Sequence, residues 1–429
     1  MLLALLQCTR SNADLGRADE CAAPQLHTTQ IDQILSIDAI ISSDGALNLV
    51  WLQLTHTPGG QDFRYATWFC RNDPSQTTWS DPIELSEGDI QAPRLVAVGS
   101  TLHVLVGERL RHFISTDGGG VWSERSSLIP SDDSVRCLAF KYDVCAIDST
   151  IYAAYLGYSP VDKRRLSELR LVRWRPSGGE ASRLIGRHKG HLKAQGEPRL
   201  HRQGDALFLA CTANSYDTKD VVDARGERSR VMRDVGNALV YVSRDAGLSW
   251  EAPHPLPDPV ASNGPWRRVT SLGWARLEGR NFLLFDSAGS LHALEFDGRA
   301  FRAARTHVAG PRVDVLSAFD PRGFDVTSTP RGVYLAWAEL LPTSNNVNPW
   351  AIPPRILQAR LNRLGLVDNS VQVGPAPEIS SGKELLQALR IVSDASGMWL
   401  VWSGASYTKQ GADGALNPPR LSVRRVATP

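Results

Sequence analysis

Apolar and polar residues alternate in short runs along this chain, and the runs come in pairs split by a tight turn. The pattern is plain in IDAIISSDGALNLVWLQ, APRLVAVGSTLHVLVGE and YDVCAIDSTIYAAYLG. It returns in EPRLHRQGDALFLACTA, LGWARLEGRNFLLFDS, FDVTSTPRGVYLAWAE and ALRIVSDASGMWLVWSG. The turns centre on Gly45, Gly99, Asp148, Gly204, Gly279, Gly332 and Gly397. A period of two marks strands, and Gly, Asn or Asp in a short link marks a hairpin. A second hairpin follows the first, as in RHFISTDGGGVWSERSSL, LRLVRWRPSGGEASRLI, ALVYVSRDAGLSWEAPHPL and SLHALEFDGRAFRAARTHV. Each unit therefore predicts four short antiparallel strands.

One four-stranded sheet cannot bury both its faces, but successive sheets packed around an axis can. Units of this length, repeated, predict an all-β chain folded as a β-propeller. Seven blades are expected. Six is the alternative, with the last unit packed outside the ring. The seventh unit ends LSVRRVATP and lacks a fourth strand, which Gln25 to Ile31 could supply to close the ring. The domain reading is a single propeller over 25–429, preceded by a polar tether and signal-like remnant over 1–24.

Composition agrees with that picture. The chain has 429 residues, enough for two or three ordinary domains or one large all-β array. Gly (35), Pro (26) and Trp (12) are frequent, as many turns and half-buried strands require. The net charge of +2 gives no electrostatic reason for a nucleic-acid partner. The first residues, MLLALLQC, resemble the tail of a secretion signal, with Cys8 where a bacterial lipoprotein would be acylated. No basic segment precedes that run, and Gln7 stands where a small residue belongs. Two readings stay open: an extracytoplasmic chain (periplasmic, secreted or lipid-anchored at Cys8), or a ragged start. No later apolar run reaches the ~18–20 residues that span a bilayer. Without a C-x-x-C pair no zinc site is expected, and no cofactor or other metal is implied. Cys137 and Cys145 could bridge, or could be buried thiols.

The run ISTDGGGVWSE carries the most specific pattern, S-x-D-x-G-x-x-W: Ser115, Asp117, Gly119 and Trp122. A second copy holds Ser243, Asp245, Gly247 and Trp250. Degenerate copies hold Asp73 with Trp79, and Asp297. All fall between the third and fourth strands of their units. Asp and Ser can bond the turn's own backbone, Gly permits positive φ, and Trp can cover the turn. Nothing in the pattern needs a substrate, so it reads as a hairpin staple.

The repeated run resembles the Asp-box, or bacterial neuraminidase repeat, of the sialidase superfamily, over about 34 to 366. The resemblance implies a propeller with an axial active site. It would hold three arginines on a carboxylate, a Tyr nucleophile made reactive by a Glu, and an Asp acid/base. Asp62 in THTPGGQDF fits the acid/base, and Glu197 in GEPRL fits the glutamate. Leu35 stands where the first arginine belongs. LFLACTANSY and LLFDSAGS carry no arginine for the second and third, and RGFDVTS places Phe324 where the tyrosine belongs. A working exo-sialidase is therefore not expected.

Other charges could line the axis. Arg94 and Arg199 lie five residues before their turns. Asp38, Glu197, Asp325 and Arg390 lie seven before theirs. Shared parity points them the same way. They read either as a site in which Arg94, Arg199 and Arg390 hold an anionic or sugar ligand, or as a self-compensating charge network. The charged insertion Asn214 to Asp234 reads as a partner-binding or solvated loop. Trp350, in PTSNNVNPWAIPPR, could stack on a sugar or pack. Three functions remain open. One is a non-catalytic or divergent module binding a glycan or envelope protein. Another is a glycoside hydrolase using Asp62 and Glu197. The third is a protein-binding assembly scaffold, by analogy of fold alone.

Overall fold

The computed structural model describes residues 31–56, 63–73, 78–131, 135–158, 167–176, 178–179, 182–188, 198–213, 215–222, 226–235, 237–257, 269–287, 290–302, 306–309, 324–329, 332–340, 357–367, 370–373, 384–393, 397–406 and 420–426. Their regular structure is all strand, so no described helix is long and apolar enough to cross a membrane. Unit one contains β1 (Ile31–Ile41), β2 (Leu47–His56), β3 (Phe63–Asp73), β4 (Thr78–Trp79) and β5 (Ile83–Glu87). Unit two contains β6 (Arg94–Val98), β7 (Thr101–Val106), β8 (Arg111–Ser115) and β9 (Ser123–Arg125). Unit three contains β10 (Arg136–Ile147), β11 (Thr150–Tyr158), β12 (Ser167–Arg175), β13 (Gly178–Gly179) and β14 (Arg183–His188). Unit four contains β15 (Arg199–Gln203) and β16 (Ala206–Thr212), then the inserted pair β17 (Ser215–Val222) and β18 (Arg228–Val235), then β19 (Ala238–Ser243) and β20 (His254–Pro255). Unit five contains β21 (Val269–Leu277), β22 (Arg280–Ser287), β23 (Ser290–Phe296) and β24 (Thr306–Ala309). Unit six contains β25 (Phe324–Thr329), β26 (Gly332–Leu340), β27 (Leu357–Val367) and β28 (Ser370–Val373). The last repeat supplies β29 (Glu384–Ser393), β30 (Met398–Ser406) and β31 (Arg420–Val426).

Every described ladder is antiparallel; most join consecutive strands, and β3 with β5, β12 with β14, β16 with β19 and β27 with β29 pair across an intervening strand or hairpin. Six units are complete among the described residues. The last repeat has three strands, joined to unit six through the pair Leu357 and Glu384. Of the segment expected to supply its fourth strand, only Ile31 is described, and it belongs to β1. The first strands of the units follow one another in a ring. β1 lies beside β6, β6 beside β10, β10 beside β15, β15 beside β21, and β21 beside β25. β29 then packs between β25 and β1, so the last repeat is not outside the ring.

The two-residue period explains the packing. In β2, Leu47, Leu49 and Trp51 face the last repeat, against Trp399, Val401 and Val423. The alternate residue Val50 faces unit two, against Leu95 and Val104. In β16, Leu207 and Leu209 pack towards unit three, while Phe208 and Ala210 pack towards unit five. Each sheet is thus apolar on both faces, and the core is a set of seams between units. Fully burying one such side chain stabilises by about 1.5–3 kcal/mol, so the seams are where the fold is held.

The S-x-D-x-G-x-x-W turns are staples within a unit and latches between units. The Ser115 hydroxyl donates to Asp117 Oδ1 at 2.7 Å and accepts from the Gly119 N–H at 2.8 Å, while the Val121 N–H reaches Asp117 Oδ1 at 3.0 Å. Ser243, Asp245, Gly247 and Ser249 repeat those bonds at 2.8 Å each. The tryptophan does more than cover its own turn. Trp122 donates to Gly119 O at 3.1 Å and also meets Phe69 of unit one edge-on at 4.8 Å. Gly119 (φ +101°) and Gly247 (φ +81°) sit directly on Phe69 and Leu171 of the preceding units. Two residues further along those strands, Arg71 donates to Gly118 O at 2.9 Å and Arg173 to Ala246 O at 3.2 Å. In the degenerate copy, Asp297 Oδ1 accepts from the Arg299 and Ala300 N–H groups at 2.9 Å. Asp73 and Trp79 flank the β3–β4 turn, where Asp73 pairs with Thr78 across the ladder.

The structure resolves one open reading and corrects one expectation. Cys137 and Cys145 do not bridge: both are free thiols on β10. At about 3.3 Å per residue, their separation far exceeds the ~6 Å Cα spacing of a disulfide. Burial pushes the Cys145 thiol up to about 12. The charged insertion is not a loop but a regular hairpin, with Ser215 opposite Val235 and Val222 opposite Arg228.

The latch predicts a difference between two glycines. A Cβ on Gly119 would lie 2.4 Å from the Phe69 ring, whereas one on Gly204 meets nothing within 4 Å. Gly119→Ala should cost about 2 kcal/mol or more, and Gly204→Ala about 1 kcal/mol. Urea midpoints measure both, and equal losses would remove the latch as the reason.

Candidate functional site at the inner strands

The axial charges meet one another across the unit seams. Asp38 Oδ2 accepts from the Leu95 N–H at 2.9 Å, across the seam between units one and two. Asp143 Oδ2 accepts from the Leu200 N–H at 2.8 Å, and Asp325 Oδ2 from the Ile391 N–H at 3.0 Å. The sequence separations are 57, 57 and 66 residues, one unit each time. The residues just before those amides are Arg94, Arg199 and Arg390, all buried.

Each arginine then reaches the next unit along. Arg94 of unit two lies over the Tyr142 ring of unit three, 5.4 Å from its centre, and donates to Pro93 O at 3.0 Å. Arg199 of unit four donates to Leu272 O of unit five at 2.8 Å, with Asp143 Oδ1 at 3.8 Å from its other end. Arg390 of the last repeat donates to Leu389 O at 2.8 Å and to Asp38 Oδ1 of unit one at 3.2 Å. Aspartate and arginine thus hand the connection on around the ring. Units five and six meet differently, with Gly273 close against Phe324 and Val326 and the Arg276 N–H on Ser328 Oγ at 3.2 Å. All three arginines are thus held in contacts of the fold.

Phe324 belongs to the same repeat. The triplets Ile37-Asp38-Ala39, Tyr142-Asp143-Val144 and Phe324-Asp325-Val326 are structurally equivalent, and the first residue of each is buried at 0–1% exposure. Phe324 packs in the seam with Leu284, Leu335 and Trp337. Tyr142 does carry a hydroxyl, which donates within the fold, with Ala92 O at 2.6 Å and Leu105 O at 2.7 Å. The position is a core position, and no nucleophile is displayed from it. Leu35 is also buried, at a register shift in β1 between Ile34 and Ser36, against Leu52, Leu54 and Ala92.

Sequence reasoning missed Asp143 and Tyr142. Asp143 lies five residues before its turn, whereas the equivalent Asp38 and Asp325 lie seven before theirs, so counting from turns did not group the three. The signal that finds it is the triplet itself: a bulky apolar residue, Asp, then a small apolar residue. Asp62, Glu197 and Trp350 lie outside the described residues. Among those residues, no cluster of three or more His, Cys, Asp or Glu could hold a metal.

A second buried polar group lies in the seam between units two and three. His103 Nδ1 and His112 Nε2 are 2.9 Å apart, and both rings meet the Trp174 indole, at 5.3 and 4.7 Å. Burial lowers His103 to about 4 and His112 to about 3, the latter aided by His103 and Arg125.

No family model matches the sequence, and a search of curated proteins finds no match. Solved structures do match in shape. Over 96% of its length the chain is similar to a leech intramolecular trans-sialidase, at 8% identity, 70% of that chain and a TM-score of 0.46. It is similar over 95% to the NanB sialidase of Streptococcus pneumoniae, at 11% identity, 70% of that chain and 0.45. It is similar over 96% to a Penicillium chrysogenum alpha-L-arabinanase, at 13% identity, 97% of that chain and 0.44. Values this low say nothing of activity.

Two outcomes follow from the seams. Asp38→Ala removes the acceptor shared by the Leu95 N–H and the buried Arg390, and should cost about 3 kcal/mol. Asp38→Asn keeps one acceptor and should cost less, by urea denaturation. For the histidines, unfolding restores titration near 6.5, the unshifted value. Below that pH the unfolded chain binds protons that the folded pair refuses. Their contribution is therefore full above pH 6.5 and falls as pH drops towards about 4 and 3. His112→Gln should flatten the dependence of the urea midpoint on pH between about 6.5 and 4.

Proposed function

We propose that this chain is a non-catalytic or divergent sialidase-like propeller that binds a glycan, and is not an exo-sialidase. One observation supports the reading: three buried arginines and three aspartates of the inner strands make contacts that join units. Arg94, Arg199 and Arg390 are buried on backbone carbonyls, an aromatic ring and aspartates. Cations held in this way are not free to clamp a substrate carboxylate. Phe324, at the position matched to the nucleophile, is seam core. The glycan class rests on the resemblance of the Ser115–Trp122 and Ser243–Trp250 turns to Asp-boxes. An extracytoplasmic setting rests on the leader-like run before Cys8.

A panel of fluorogenic glycosides, including sialosides and arabinosides, tests this. The expected outcome is no turnover above background. Turnover that disappears in both Asp62→Asn and Glu197→Gln would establish the hydrolase instead, with those carboxylates as acid/base and partner.

A further inference from the structure

One opening among the described residues lies away from the inner strands. It is a cleft of about 1100 Å³ at the outer edge of the seam between units two and three. The connection Ser126 to Ser131 forms one wall, with Arg109 and Arg125 beside it, and Trp174 and Pro176 of unit three form the other. Leu128 and Ile129 are buried beneath it.

The polar groups of this cleft differ from those at the inner strands. Arg109 is engaged by Pro130 O. The neighbouring acids are engaged as well: Glu124 by Arg111 at 2.8 Å and Glu108 by Arg136 at 3.3 Å. Arg125 is exposed. Among the described residues, nothing hydrogen-bonds to its guanidinium, to the hydroxyls of Ser126, Ser127 and Ser131, or to the Trp174 indole N–H. Behind the wall, His112 lies opposite Arg125 in the ladder and edge-on to Trp174, and its buried Nδ1 has no partner. The opening thus combines one free guanidinium fork, several free donors and an aromatic surface above an apolar floor. That set fits a ring that is apolar on its face, rich in acceptors at its rim, and bears a planar anion.

We propose that this cleft binds an acidic saccharide. Its carboxylate meets Arg125, its ring lies on the Trp174 side, and its hydroxyls meet Ser126, Ser127 and Ser131. The proposal rests on the reading of the chain as a glycan-binding propeller and moves the ligand from the axis to the rim.

Isothermal titration of the full chain with a galacturonate trimer tests it, with the corresponding neutral galactose trimer as the comparison. Saturable binding of the acidic trimer alone is expected. Arg125→Ala should weaken it about tenfold or more, because a charge-assisted bond is lost. Arg125 is exposed, so the thermal midpoint should stay unchanged. Trp174→Phe, which keeps an aromatic ring, should retain part of the affinity. No binding by the wild-type chain, equal binding of the neutral trimer, or unchanged binding in Arg125→Ala would overturn the proposal. Turnover dependent on Asp62 and Glu197 would instead overturn the non-catalytic reading, and the titration would still decide the cleft.

Discussion

The fold depends on a hydrogen bond from one sheet to the backbone of the next. Apart from the single Leu357–Glu384 pair, the described sheets have no edge pairing to their neighbours, so their ladders do not fix how adjacent sheets line up. Packed apolar faces hold sheets together but tolerate sliding. Asp38, Asp143 and Asp325 each fix one such seam by accepting a single amide of the following inner strand. The arginine beside that amide then fixes the next seam. A buried charge without partners is costly, so each member keeps the others in place.

At the outer edge the same pairs of units are fixed a second time. Phe69 and Arg71 of unit one receive the turn of unit two, and Leu171 and Arg173 of unit three receive the turn of unit four. Units one with two, and three with four, are thus pinned both near the axis and at the rim. The seam between two and three lacks the outer latch among the described residues. It holds instead the His103–His112 pair, Trp174 and the open cleft. The opening lies where the latching is interrupted.

The strands, the turns and the staple motif were legible along the chain because each depends on residues a few positions apart. Alternation at period two gave the seams, and Ser115 to Trp122 marked the join of third and fourth strands. Spacing groups the charges at positions five and seven, but the partners of Asp38, Arg94, Arg199, Asp325 and Arg390 were not legible from it. Asp143 escaped because the turns differ in length: β1 and β2 close at Ile41 opposite Leu47, β10 and β11 at Ile147 opposite Thr150, so equivalent aspartates fall at different counts from the turn. Phe324 was read against a borrowed catalytic pattern. Its equivalence to Ile37 and Tyr142 lies in the seams, where the next residue of each strand, Asp325, Asp38 or Asp143, accepts an amide of the following unit.

By itself the sequence determined an all-β propeller, its units and its hairpin staples, since these follow from local pattern and turn chemistry. Only the tertiary structure decided what the charges do. An arginine in a strand can clamp a ligand or bridge two sheets, and the choice depends on groups about 60 to 350 residues away. Arg94, Arg199 and Arg390 are buried in the seams, while Arg125 is open to solvent. Period and spacing report which way a side chain points, while the dielectric and the partners around it come from the neighbouring unit.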